Sequence, residues 1–454
     1  MDYTQITPEQ RQQMLSTIGI ESVDALFAVI PEAVRFNGRL DLPAGASELE
    51  LQRELGDLAG RNRDVNEMAC FLGGGAYDHF IPAFIDQMIL RGEFLTAYTP
   101  YQAEASQGCL QAFFEFQTQI ARLTGLDAAN ASLYEGATAT AEAVLMALGQ
   151  TGKRRVLVAS TLHPDHRRVL ETYLEDLSAE LVELPAGANG RIDRAGVERR
   201  ADDQTACLVV QSPNVFGLIE DWADLFAALK AGSTDGKGPL AISVFNPISL
   251  GVLRSPGSCG ADVAVGEGQP LGTPLQFGGP YLGLFAARER FIRRMPGRLV
   301  GRTTDRSGRT AYCLTLQTRE QHIRRGRATS NICTNQGLLA LRATMYMTAM
   351  GPEGLRQVAL QCYHKAHYLA ERIASLPGYA LKYPDSPFFH ELVVACPRPA
   401  REVVRNAEAQ GILAGIPLGS ERFGGIGDEN DLLVAVTEKR TREEMDRLVS
   451  ELGK

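Results

Sequence analysis

Lysine is scarce in this chain. Only seven are present, at 153, 230, 237, 365, 382, 439 and 454, and none falls between Arg254 and Arg288. Cys-x-x-Cys pairs are absent as well. The eight cysteines, at 70, 109, 207, 259, 313, 333, 362 and 396, are scattered. That spacing argues against a disulfide or zinc framework and for separate thiols in a reducing cytosol, so no metal site and a cytoplasmic location are expected. No apolar run reaches the ~18 residues that a membrane span needs, so no membrane partner is expected. The N-terminal residues, Met1-Asp-Tyr-Thr-Gln-Ile-Thr-Pro, show no basic-then-apolar signal pattern. A formal net charge of −8 makes nucleic acid an unfavourable partner. What is present is the balance of an ordinary globular enzyme, 44% hydrophobic and 22% charged over 454 residues, enough for two domains.

The texture along the chain suggests three parts. Residues 1–70 read as a helical N-terminal arm. Thr7-Pro8-Glu9-Gln10 and Ser47-Glu48-Leu49-Glu50 are capped helix starts, and Ile20 to Phe27 has helical periodicity. Alone this arm buries little, so it needs a larger body to pack on. Residues 71–345 read as a large α/β domain. Apolar strands at 156–160, 181–184, 206–211, 240–245, 262–265 and 281–287 alternate with helical patterns. That alternation implies a mainly parallel sheet flanked by helices, with ligands at the carboxyl ends of its strands. Residues 346–454 read as a small C-terminal α/β domain. Helices over Thr334–Ala349 and Leu355–Leu376 lead into it.

Three stretches carry polar groups suited to ligands. Phe94-Leu-Thr-Ala-Tyr-Thr-Pro-Tyr-Gln-Ala-Glu104 sets Tyr98 and Tyr101 either side of a Thr-Pro. These tyrosines either meet a polar ligand or bury their rings in a surface turn. Ser132 to Leu148 is a helix opened by small and hydroxyl residues. Gly136, Thr138 and Thr140 there could cradle a phosphate on free N–H groups, or simply cap the helix. Arg290 to Arg327 is densely basic, which reads as a solvated face or as ion pairing with a partner.

The loop Gly266-Glu-Gly-Gln-Pro-Leu-Gly-Thr-Pro-Leu-Gln-Phe-Gly-Gly-Pro280 lies between two apolar runs. It resembles the cofactor-lysine region of pyridoxal-phosphate enzymes of the aspartate-aminotransferase fold, fold type I. A lysine there forms the Schiff base; here Gln269 stands near that position. With Phe71-Leu-Gly-Gly-Gly-Ala-Tyr-Asp-His79, Phe94 to Glu104, Tyr134-Glu-Gly-Ala-Thr-Ala139 and Gln276-Phe-Gly-Gly-Pro280, the chain closely resembles the glycine cleavage system P-protein. The likeness is to the alpha chain of its two-chain form and runs from about residue 2 to 449.

The resemblance implies a pyridoxal-phosphate-dependent transferase fold and a shared reaction. Glycine is decarboxylated on pyridoxal phosphate, and the aminomethyl group passes to lipoylated H-protein. The cofactor lysine belongs to the beta subunit, so none is expected covalently here and the chain alone is expected to be inactive. The assembly implied is a heterodimer or a pair of heterodimers. Tyr98, Thr99, Pro100, Tyr101, Gln102 and Glu104 would then reach the partner's site, with His79 and Gly73–Gly75 close by. Gly136, Thr138, Thr140, His163, Asn246 and Gln269 would line a degenerate cofactor pocket. Asn246 falls where an aspartate commonly pairs with the pyridine nitrogen, and His163 where a ring covers the cofactor. Two other readings stand beside this: a structural or regulatory pseudoenzyme, and an independent pyridoxal-phosphate lyase. The lysine inventory opposes the latter.

Overall fold

The computed structural model describes residues 5–36, 38–231 and 238–454. Lys237 lies outside the described residues, as do residues 1–4 of the arm. The chain divides into two compact units, 1–63 and 64–454.

The first unit holds two capped helices. α1 (Pro8–Ile18) begins where Thr7 Oγ1 accepts the Gln10 N–H at 3.2 Å and Gln10 Oε1 accepts the Thr7 N–H at 2.9 Å. α2 (Glu48–Ala59) repeats the device with Ser47 and Glu50. The stretch Ile20–Phe27, expected as a helix, makes only a 3-10 turn over Asp24–Phe27. None of that turn's side chains is buried, so no apolar face supplies the packing that sustains a short helix.

The second unit is built on a seven-stranded sheet: β1 (Ala128–Ala129), β2 (Arg155–Ala159), β3 (Glu180–Leu184), β4 (Thr205–Ser212), β5 (Leu240–Phe245), β6 (Val263–Glu267) and β7 (Gly283–Ala287). Its order is β1-β7-β6-β5-β4-β2-β3. Strands β2 to β6 pair in parallel, while β7 runs antiparallel to both β6 and β1. Every residue of β5 and β7 is buried. A run buried on both faces needs apolar residues throughout, worth about 1.5–3 kcal/mol for each large one, which is why these strands read as continuous apolar segments. The helices α3 (Gln107–Thr124), α4 (Gly136–Thr151), α5 (Pro164–Leu174) and α6 (Trp222–Lys230) belong to the same unit. Core residues divide between the sheet's two faces: Leu157, Leu208 and Ala264 join one cluster, Val156, Val209 and Val265 the other.

The arginine-dense segment is not one exposed charge run. It contains a 3-10 turn (Glu289–Arg294) and an antiparallel hairpin, Leu299–Thr304 with Thr310–Thr315. Arg298 is buried, and Arg319 donates to the carbonyls of Met295 and Gly297. Next comes α7 (Gly337–Ala374), which is two helices joined at Gly351 (φ 61°) and followed by Pro352, as the two helical patterns in the sequence suggest. A four-stranded antiparallel sheet follows. Its central strands are Glu391–Ala395 and Asp431–Ala435. All eight cysteines are free; Cys70, Cys207, Cys362 and Cys396 are buried, and Cys333 is exposed.

Candidate active-site region

The loops expected along the rim of the parallel strands do meet there. A cavity of about 520 Å³ is lined by Gly73–Gly75, Glu135, His163, Glu267, Tyr281 and Phe423. A recess of about 40 Å³ is lined by Tyr77, His163, Gln211, Asn246, Glu267 and His390.

The N-terminus of α4 has two readings, a phosphate cradle on free N–H groups or ordinary capping. Two carboxylates of the chain itself hold these N–H groups. Glu135 accepts the N–H groups of Ala137 (2.6 Å) and Thr138 (2.9 Å). Glu267 accepts those of Gly136, Gln269 and Leu282, each at 2.9 Å. Gly136 suits this close approach, since a Cβ there would lie a tight 3.1 Å from both the Glu267 Cβ and its backbone nitrogen. Thr138 returns a bond to the backbone of Glu135, and Thr140 donates to Gly136 O or meets His166 Nδ1. Helix capping, the second of the two readings of this segment, is what the geometry shows. Burial raises the Glu267 carboxyl to about 7 against the pull of its three N–H donors.

The other residues of this pocket are also bound internally. Gln269 is fully buried; its Nε2 donates to Tyr77 O and Thr273 O, and its Oε1 accepts the Tyr77 N–H. It bolts two loops together. Asn246 Oδ1 accepts from Ile248 and Ser249 N–H, and its Nδ2 meets His390 Nε2 at 3.3 Å. His163 caps its own helix through Nδ1 and lies 2.8 Å from Gly74 O through Nε2, edge-on to Phe423.

The glycine loop at 73–80 is tied to the small sheet. Glu391 accepts Gly74 N–H and the Tyr77 hydroxyl, and burial raises its carboxyl to about 7. Asp78 pairs with Lys439 and Arg440. His79 Nδ1 lies 2.7 Å from Glu438, which also accepts Phe80 N–H. Burial would raise the Glu438 carboxyl, but His79 and the backbone donors outweigh it and hold it at about 2. His79, Cys362 and Glu438 place metal-donor atoms within 4.8 Å of one another. Both Glu438 oxygens are already in use, and the Lys365 ammonium sits on its carbonyl.

Tyr98, Thr99 and Pro100 line a different cavity, of about 160 Å³, with Phe94, Phe113, Thr334, Asn335 and Gly337. His79 is not part of its lining. Tyr98 is 82% exposed, and Gln102 and Glu104 are exposed on and before a 3-10 turn.

The family model described as glycine cleavage system P-protein matches residues 1–452. The chain belongs to that family. "Probable glycine dehydrogenase (decarboxylating) subunit 1" of Desulfitobacterium hafniense is 48% identical over 453 residues, 100% of this chain and 99% of the relative. The protein of the same name from Chlorobium chlorochromatii is 49% identical with the same coverage. A crystal structure of glycine decarboxylase (P-protein) in inhibitor-bound form matches at 43% identity and TM-score 0.90, covering 100% and 99% of the two chains. A sphingosine-1-phosphate lyase of Burkholderia pseudomallei, 15% identical with TM-score 0.66 over 93% and 94% of the chains, shows the fold alone. That fold is the pyridoxal-phosphate fold type I.

Set beside the P-protein family's cofactor, the strand-end residues of this chain do not fit it. Glu135 and Glu267 take the N–H groups at the start of α4, Asn246 caps a turn, and Gln269 makes three hydrogen bonds of its own. The sequence reading missed Glu135, Glu267 and Glu391. Glu267 was visible as the one acid inside Gly266-Glu-Gly-Gln269, but not the helix it would meet.

Proposed function

We propose that the chain is the non-lysine subunit of a glycine dehydrogenase (decarboxylating), completing a catalytic site carried by a lysine-bearing beta subunit. Pyridoxal phosphate on that partner supplies the electron sink for loss of carbon dioxide from glycine. The aminomethyl group then goes to the lipoyl arm of H-protein. The observation that carries this reading is the contrast within the chain: a strand-end helix N-terminus whose N–H groups are taken by the chain's own carboxylates, and an exposed Tyr98–Tyr101 turn. Exposed Phe80, Phe84, Leu90 and Leu95 occupy the same stretch of sequence, as expected where a partner packs.

In this role Tyr98 and Tyr101 donate hydrogen bonds to an anionic oxygen in the shared site. Pro100 fixes the turn between them, and Gln102 and Glu104 complete it. His79 and Gly73–Gly75 hold the neighbouring rim from within. A scaffold that only stabilises its partner is the second reading, favoured by the strand-end groups being bonded within the chain.

Glycine–bicarbonate carboxyl exchange, measured with pyridoxal phosphate and H-protein, decides between them. The chain alone should be silent, and adding the lysine-bearing subunit should restore exchange. Activity from the single chain refutes the proposal. Full activity of a Tyr98→Phe, Tyr101→Phe complex favours the scaffold.

A further inference from the structure

Three arginines are buried among the described residues: Arg298, Arg342 and Arg440. Two have carboxylates. Arg342 pairs with Asp86, and Arg440 pairs with Asp78 and Glu444. Arg298, only 3% exposed, has none. Its Nη1 donates to Asn335 Oδ1 at 3.0 Å, and its Nη2 to Cys333 O at 2.7 Å and the Tyr101 hydroxyl at 3.3 Å. Its Nε has no hydrogen-bond partner among the described residues. The guanidinium also lies 5.7 Å from the Tyr101 ring centroid. A buried charge met only by neutral acceptors is costly unless an anion comes to it.

Its surroundings are rich in donors. The Tyr101 oxygen accepts from Arg298, so its own proton is left to donate, and no acceptor for it occurs among the described residues. Asn335 is held through its oxygen, which turns its amide nitrogen to Ala131 O and the space beside it. α7 begins at Gly337 with no side-chain cap, and its first helical donor is Ala340 N–H to Gln336 O. The N–H groups of residues 337–339 are therefore free, at the positive end of the helix. Asn335 and Gly337 line the 160 Å³ cavity with Tyr98, Thr99 and Pro100, and no acidic residue is in that lining; Arg298 and Tyr101 are not part of it.

The geometry points to an anion subsite at this mouth. It takes a carboxylate or phosphate oxygen of the small molecules handled at the shared site, and Arg298 is the positioning residue that holds Asn335 in the cavity wall and Tyr101 next to the lining Pro100. This rests on the site-completing role proposed above. Glycine's carboxylate and the cofactor's phosphate share this chemistry, and the two arms of the test separate them.

The test uses the complex with the lysine-bearing subunit and the variants Arg298→Met, Arg298→Lys and Tyr101→Phe. Losing the donors that Arg298 holds in place should raise either KM for glycine or Kd for pyridoxal phosphate about 10- to 100-fold, and the constant that moves names the source. Arg298→Lys should recover much of the loss. Tyr101→Phe should add little on top of Arg298→Met, because the arginine acts through that hydroxyl. Complex mass by light scattering should not change. Both constants unchanged in all variants overturns the subsite. So does dissociation of the Arg298→Met complex while the isolated chain keeps its melting temperature, because the anion is then a carboxylate of the partner. If Arg298→Met does not fold, the lysine and Tyr101→Phe variants carry the same readout. Failure of the site-completing role looks different: the wild-type chain then adds nothing to the partner's exchange activity.

Discussion

At the ends of the parallel strands, Glu135 and Glu267 accept five backbone N–H bonds between them. At the Tyr98–Tyr101 turn a buried guanidinium and a tyrosine hydroxyl have no carboxylate partner among the described residues, and a long helix starts without a side-chain cap. The same fold thus contains one polar region closed on itself and another left open. In the first, hydrogen bonds hold loops together and a ligand would have to displace them. In the second, the chain carries unmet donors, which is a cost to an isolated chain and an asset to an assembled one.

The largest expected effect breaks the closed region. Glu267→Ala strips three buried N–H groups of their acceptor, at about 1–3 kcal/mol for each left unpaired, so unfolding in urea should show a loss of several kcal/mol. Exchange activity per folded complex should hold. A Glu267→Ala chain as stable as wild type would end the idea that the pocket is structural.

Next in size is the open region. Tyr98→Phe should lower exchange in the complex by about tenfold, the worth of one hydrogen bond to a charged group. The stability of the chain should stay within ~0.5 kcal/mol, because Tyr98 is largely exposed. A change in stability without a change in rate would reverse the contrast.

A smaller effect separates the regions by pH. Glu142, Glu220, Glu267 and Glu391 are each raised to about 7 by burial, so the folded chain binds more protons than the unfolded one. Their contribution is present at acid pH and falls as pH rises toward and through 7. Below about 6.5, buried His166 and His390, lowered to about 3, act in the opposite sense. The clean window is therefore pH 6.5 to 8, where stability should drop by about 1 kcal/mol per carboxyl. Glu391→Gln should shrink that drop and Tyr98→Phe should not. Equal stability at both ends of the window would contradict it.

The smallest effect concerns encounter with H-protein. Arg302 and Arg306 stand exposed on the hairpin. If they steer an acidic carrier, transfer should slow severalfold from low to high salt, and Arg302→Gln, Arg306→Gln should flatten that dependence.

Much of the fold was legible in the sequence. The strand expected over Leu240–Phe245 has those bounds in the structure, because an apolar run between a proline and an asparagine-proline admits little else. The apolar run that returns after the glycine-rich loop is β7, antiparallel to β6. The carboxylates that take the N–H groups of α4 were not legible. Gly136 and Glu267 are 131 residues apart, and the glycine-rich motifs suit a bound phosphate as well as a bound carboxylate. Arg298 was hidden among many neighbouring arginines; only its burial without an acid distinguishes it.

The glycine loop has a consequence for how the chain is made. Its residues 78–80 are synthesised early, yet their partners Thr437, Glu438, Lys439 and Arg440 follow some 360 residues later. On the ribosome, Asp78 and His79 therefore wait through most of translation with no countercharge from these groups. The rim sets only when the far end of the coding sequence has been read, so a premature stop before codon 437 leaves the parallel sheet its strands but denies this loop its anchors.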